Sequence, residues 1–341
     1  MTIVRNHIIT IILPLLFAGC SPRVATSFWR IGTPADSTRA GYAVLCEGKK
    51  VRHCYPITEY TATPEEETYR AFHHHGVAVE SELMAYRIYF DKKQTIDPYC
   101  KRGSQLELTE SYWYPNDSLL ALGYGDDILR VSGTVGVGSV KYWNGKLRHF
   151  DKVASRSQRI VRQTRSSATI EVSDRGLALP GASNQPVDLT VQYTLKAGHR
   201  DMRCDVYCTA PLTDSLSGLC TGVQTIPATG ANHTSDIIRL ELSNGVLLAS
   251  FGEDWPVNDS AKYAKETVGL AVFIPYPYAG SLVQDQSNNL CLLNTLPVKK
   301  GTGVGCHFYL TAVGATKENH PVATSAEEWF VYLRRWAKRL K

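Results

Sequence analysis

Short runs of alternating apolar and polar residues, broken by Gly, Pro, Asn and Asp, occupy the chain from about residue 37 to about residue 315. Side chains on a strand point in turn to opposite faces, so a period of two predicts strands. The candidates are residues 78–91, 104–112, 128–132, 138–143, 159–163, 168–173, 187–196, 202–209, 237–241, 267–274, 290–296 and 305–313. Ala197-Gly198-His199-Arg200-Asp201 joins two of them through a Gly-containing loop of hairpin length. So many strands exceed what one twisted open sheet holds, and packed sheets are expected. The predicted class is all-β, a large sandwich. No repeat of fixed period and no composition-marked linker divides it, so residues 37–341 read as a single domain.

The period changes at residues 325–340. Ser325-Ala326-Glu327-Glu328 has the S-x-x-E capping-box pattern, which satisfies free amides at a helix start. Trp329, Phe330, Leu333, Trp336, Ala337 and Leu340 then fall on one face of an amphipathic helix. Arg334, Arg335, Lys338, Arg339 and Lys341 lie towards its C-terminal end, where the helix dipole favours cations. The expected role is a cover packed on the sheets.

The N-terminus bears on location. Arg5 precedes a short apolar run at residues 7–16, and Phe17-Ala18-Gly19-Cys20 has small residues before a cysteine. Residues 1–19 therefore read as a lipoprotein signal peptide, with Cys20 as the acylated residue and residues 20–36 as a polar tether. The expectation is a protein lipid-anchored in the cell envelope, on the outer membrane and facing the periplasm. Of nine cysteines, the eight after Cys20 form an even set that permits disulfides in an oxidising compartment. Cys204 and Cys208 on one strand would lie about 13 Å apart, too far to bridge.

Composition narrows the function classes. The chain has 341 residues, is 43% hydrophobic, 20% charged and 10% aromatic, and carries a formal net charge of +5. Its Lys and Arg are dispersed among acids, without the basic stripe of a nucleic-acid binder. It has no G-x-S-x-G elbow, H-E-x-x-H pair, Walker loop or dinucleotide fingerprint, and no C-x-x-C, which sets aside the chemistries those motifs serve.

Two segments resemble a family. His73-His74-His75-Gly76, Glu80, Ala85-Tyr86-Arg87-Ile88-Tyr89-Phe90-Asp91, Gln94, Ile96-Asp97 and Lys101 resemble the central motif of a Bacteroidetes family of unknown function, DUF4861. Gly123-Tyr124-Gly125-Asp126-Asp127-Ile128-Leu129-Arg130-Val131, with Gly136-Val137-Gly138, resembles its second, Gly-Asp segment; Tyr124, Ser132 and Val137 depart from the pattern. The resemblance spans roughly residues 70–340. It implies a secreted β-rich protein associated with degradation of polysaccharides, often rich in uronic acids, and a galactose-mutarotase-like β-supersandwich. It implies no catalytic assignment.

The residues themselves suggest chemistry. On a single strand 78–91, Glu80, Tyr86 and Ile88 would share one face and Arg87 and Tyr89 the other. Arg87, flanked there by apolar residues, needs a buried partner or lines a groove; a uronate carboxylate would suit its planar fork. Tyr86 or Tyr89 could stack on a sugar or act as its acid. His75 is the preferred base, since imidazole titrates near neutrality and Gly76 lets a ligand approach. Along an extended backbone His73 and His75 could also converge on a metal. His73, Glu80, Lys101 and Asp127 are candidate substrate-binding residues, and Asp126 with Asp127 could instead cap a turn or bind calcium. No cofactor is expected, with a divalent metal left open. The functional expectation is an enzyme acting on acidic oligosaccharides by acid/base chemistry, of lyase, epimerase or hydrolase type. The alternative is a non-catalytic glycan-binding lipoprotein.

Overall fold

The computed structural model describes residues 23–47, 50–179, 185–212, 216–226, 236–256, 264–298 and 303–340. Residues 1–19, read as a signal peptide, and Cys20 lie outside the described residues. The fold is all-β, with four antiparallel sheets of ten, five, four and three strands and a C-terminal helix.

The alternating runs that read most clearly form the middle of the ten-stranded sheet. Val187–Lys196 and Met202–Cys208 form the expected hairpin, with Ser167–Leu177 and Ser155–Gln163 on one side of it. On the other side follow Val304–Gly314, Glu266–Pro275, Gly245–Asp254 and Asp236–Leu242. Gly245–Asp254 has no period of two because both its faces are covered. Val246 and Leu248 point into the main core, and Leu247 and Ala249 towards the helix. A strand buried on both sides reads as a continuous apolar run.

The main core lies between one face of the ten-stranded sheet and the four- and five-stranded sheets packed on it. Val191, Val206, Leu270 and Leu310 meet Val77, Val79, Tyr86 and Ile88 of the four-stranded sheet, and Val223 and Leu293 of the five-stranded sheet. On the opposite face, Ala326–Ala337 covers Leu247, Ala249, Ala271 and Phe273 with Trp329, Leu333 and Trp336. Ser325 Oγ accepts from the Glu328 amide as the capping pattern requires. The Glu328 carboxylate reaches back to the Thr324 amide and hydroxyl, both at 2.8 Å. Gly269 lies beneath the Trp329 ring, where a Cβ would come within 2.8 Å of it.

Three expectations change. Residues 24–36, read as tether, contain Val24–Ser27, which pairs with Gly76–Ser81, and Trp29–Gly32, which pairs with Lys50–Pro56. Phe28 between them is buried against Phe72 and Phe90, which holds the segment to the core. Residues 104–112 and 128–132 hold no strand. The seven cysteines whose side chains are described are free and buried, so none of them forms a disulfide.

Because Trp329 is fully buried between helix and sheet, Trp329→Ala should cost about 3–5 kcal/mol. Urea unfolding followed by circular dichroism measures this, and a loss below about 1 kcal/mol would show the helix to be an accessory.

Candidate functional site

Residues 78–91 are a hairpin rather than one strand. Gly76–Ser81 turns at Glu82-Leu83 into Met84–Tyr89, which pairs with Ile96–Cys100. The turn reverses the chain and changes which residues share a face. Ala78 lies opposite Arg87, Arg87 opposite Asp97, and Glu80 and Tyr99 opposite Ala85. One face is therefore apolar and enters the main core. The other carries Glu80, Arg87, Tyr89, Asp97 and Tyr99, with Lys101 just beyond, and is buried as well.

Buried ionised groups need partners, and residues 105–127, laid across this face, supply them. Glu80 accepts from the amides of Glu107 and Leu108 at 2.9 Å and binds Lys101, whose ammonium lies 3.2 Å from Glu107. Tyr99 donates to the Gly125 carbonyl at 2.8 Å. Gly125 presses so closely on Ile96–Cys100 that a Cβ would lie 1.8 Å from the Cys100 carbonyl oxygen. Arg87 donates through Nη1 to the Trp113 carbonyl at 2.9 Å, and through Nη2 to Asp97 at 2.7 Å and Asp127 at 2.6 Å. Within residues 104–112, Glu80 takes up the amides of Glu107 and Leu108, and His74 and His73 take up the carbonyls of Leu108 and Ser111, so backbone groups that a strand would pair are already engaged.

Two carboxylates thus share one guanidinium. Burial pushes the carboxyl of Asp127 up to about 8, reinforced by the charge of Asp97, and raises Asp97 in the same direction. Tyr89 donates to Asp97 at 2.5 Å, while Asp97 Oδ1 has no hydrogen-bond partner among the described residues.

The three histidines form a 3₁₀ turn, with His74 and His75 in the left-handed region at φ 54° and 62°. Non-glycine residues seldom adopt this conformation, which is held here by the rings' hydrogen bonds. His73 donates to the Ser111 carbonyl, His74 to that of Leu108 at 2.7 Å, and His75 Nδ1 to that of Tyr69 at 2.8 Å. Burial lowers all three, His73 to about 4 and His75 to about 3, so all are neutral near pH 7. His75 is clamped between Tyr69, at 4.0 Å, and Trp113, at 4.5 Å. Its Nε2 keeps a lone pair with no hydrogen-bond partner among the described residues.

The structure brings His75, Tyr89 and Asp127 together, and adds Asp97, Tyr69, Trp113 and Tyr114 around them. The aromatic rim went unread because its rings come from residues 69 and 113–114, on either side of the family-like motif. Other expectations are corrected. Arg87 is fully buried and neutralised, so it is not a free carboxylate clamp. Tyr86 faces the core and donates to the Arg200 carbonyl at 2.6 Å, away from Tyr89. His73, Glu80 and Lys101 are buried and hold residues 105–127 in place. Burial keeps His75 neutral near pH 7, and its Nδ1 donates to the Tyr69 carbonyl. His73 and His75 donate to separate carbonyls, and among the described residues no three His, Cys, Asp or Glu side chains converge as metal ligands. Asp126 binds the Asp127 amide at 2.8 Å and Lys317 at 3.3 Å, the turn-capping role. Away from the site, the sequence reading also missed Lys141, fully buried with a 3.4 Å bond to Thr95 Oγ1, whose ammonium burial lowers to about 7.

These polar groups, from His73 to Asp127, all lie within a stretch that a family profile matches. The sequence profile described as "Domain of unknown function (DUF4861)" matches residues 32–341. The chain belongs to the DUF4861 family. No curated protein matches it. The profile begins within Trp29–Gly32, so the N-terminal strands from there on belong to the DUF4861 unit together with the site.

The raised Asp127 carboxyl has a measurable consequence. Between about pH 4 and pH 8 the folded protein holds a proton that the unfolded chain releases, so this group stabilises at low pH and less as pH rises. Asp127→Asn lacks that component. Urea midpoints at pH 5 and pH 8 should therefore shift in favour of the variant as pH rises; parallel shifts in both proteins would refute the assignment.

Proposed function

We propose that this DUF4861 protein acts on acidic oligosaccharides by acid/base chemistry, anchored in the envelope through Cys20. The reading rests on one observation: Asp97 and Asp127, two buried carboxyls, share the Arg87 guanidinium beside the half-buried rings of Tyr69, Trp113 and Tyr114, and burial raises the pKa of both. Sugar sites combine aromatic faces with a few fixed polar groups, and a carboxyl with a pKa near the working pH is suited to proton donation. In this reading Asp127 is the acid, and Asp97, which accepts from Tyr89, shares the Arg87 guanidinium with it. His75 Nε2 accepts from a sugar hydroxyl, and Tyr69, Trp113 and Tyr114 hold the ring. Arg87 tunes the carboxyls and does not bind the substrate. A galactose-mutarotase-like arrangement of the sheets is part of the same proposal.

The alternative, a non-catalytic glycan-binding protein, draws support from the satisfaction of Asp127 within the protein: Oδ1 accepts from the Leu129 amide and Oδ2 from Arg87. Proton NMR of uronate-containing oligosaccharides with the wild type, Asp127→Asn and Tyr89→Phe separates the two. The enzyme reading expects a new alkene, anomer or released sugar with the wild type, with turnover reduced at least a hundredfold by Asp127→Asn. Line broadening without any product would favour the binding protein. Turnover unchanged in Asp127→Asn would remove the acid assigned here.

A further inference from the structure

The Tyr69 ring also lines a neighbouring cleft of 520 Å³, formed between residues 62–70, residues 91–93 and the strand Ser155–Gln163. Acidic and basic side chains both line it, but the acids are already engaged. Glu66 accepts from Tyr60 at 2.5 Å, and Glu67 from the Tyr69 amide at 3.0 Å. Asp91 accepts from the Lys93 amide at 2.8 Å, and Asp151 pairs with Lys92 at 3.2 Å. Arg156 is held by Asp174 at 2.6 Å. Arg70 and Lys93 are the exceptions: among the described residues neither forms an ion pair. Lys93 Nζ lies 5.9 Å from the centre of the Tyr69 ring, and the charge of Arg70 is felt at His75.

We propose that this cleft is the subsite that recognises the anionic group of the saccharide, with Arg70 and Lys93 binding its carboxylate and Tyr69 its ring. This rests on the saccharide reading above and transfers the clamp role from the buried Arg87 to two cations at the surface. A guanidinium offers a carboxylate two parallel hydrogen bonds, and an ammonium adds a point charge. Tyr69 belongs to both places: it lines the cleft and stacks on His75. A saccharide held by its carboxylate at Arg70 would extend along that ring towards Asp127.

The test is titration of the purified protein with D-galacturonate and with D-galactose, which share a ring and differ at the C6 group, followed by ligand-observed NMR at low and high salt. The wild type should prefer galacturonate at least tenfold, with the preference shrinking in salt. Arg70→Gln/Lys93→Gln, both surface changes, should abolish the preference and leave galactose binding unchanged. Equal binding of the two sugars by the wild type, no binding of galacturonate, or an undiminished preference in the double variant would each overturn the proposal. If the preference is present and lost in the double variant while no oligosaccharide is turned over by any form of the protein, the anion subsite stands and the acid/base reading falls.

Discussion

Removing Arg87 from water requires several other parts of the structure to be in place. An unpaired guanidinium in the interior costs several kcal/mol, so two carboxylates and a carbonyl must reach it at once. Asp97 comes from the neighbouring strand, whereas Asp127 and the Trp113 carbonyl come from an irregular segment. That segment is ordered because the same sheet face offers further charged and polar anchors, Glu80 to two amides and His73 and His74 to two carbonyls. The polar face is consequently a fastening surface. Its ion pairs and side-chain-to-backbone bonds do for residues 105–127 what a ladder of backbone bonds does for a strand.

The excess of acid over base here has a chemical result. Burial raises both carboxyls, and one guanidinium cannot fully compensate two carboxylates, so the pKa of each lies above that of an exposed acid. The nearby histidines respond in the opposite sense to the same burial and remain neutral. In this layer burial therefore moves a carboxyl towards neutrality and the histidines away from it. Outside this layer, the surface cations Arg70 and Lys93 remain available to a ligand because the acids beside them are engaged with amides, a tyrosine and Lys92.

Much of the large sheet and the helix was legible from local pattern. Val187–Lys196 and Met202–Cys208 alternate because one face meets the core and the other does not. The helix is marked by a cap and a 3.6-residue period that depend only on its own residues. The family was legible for a related reason: polar groups with fixed partners leave a recognisable order along the chain, from His73 through Arg87 and Asp97 to Asp127.

What the sequence could not determine is who meets whom across long separations. Placing Glu80 and Arg87 on one face depends on a two-residue turn at Glu82-Leu83, because a reversal changes the parity that alternation alone would assign. The neutralisation of Arg87 depends on a carboxylate forty residues away. The rim of Tyr69, His75 and Trp113 likewise exists only once residues 105–127 have been drawn over the sheet. Local periodicity reports which side of a strand is dry. The charge state of a buried residue is set by distant partners and by exclusion of water, and both arise only when the sheets pack.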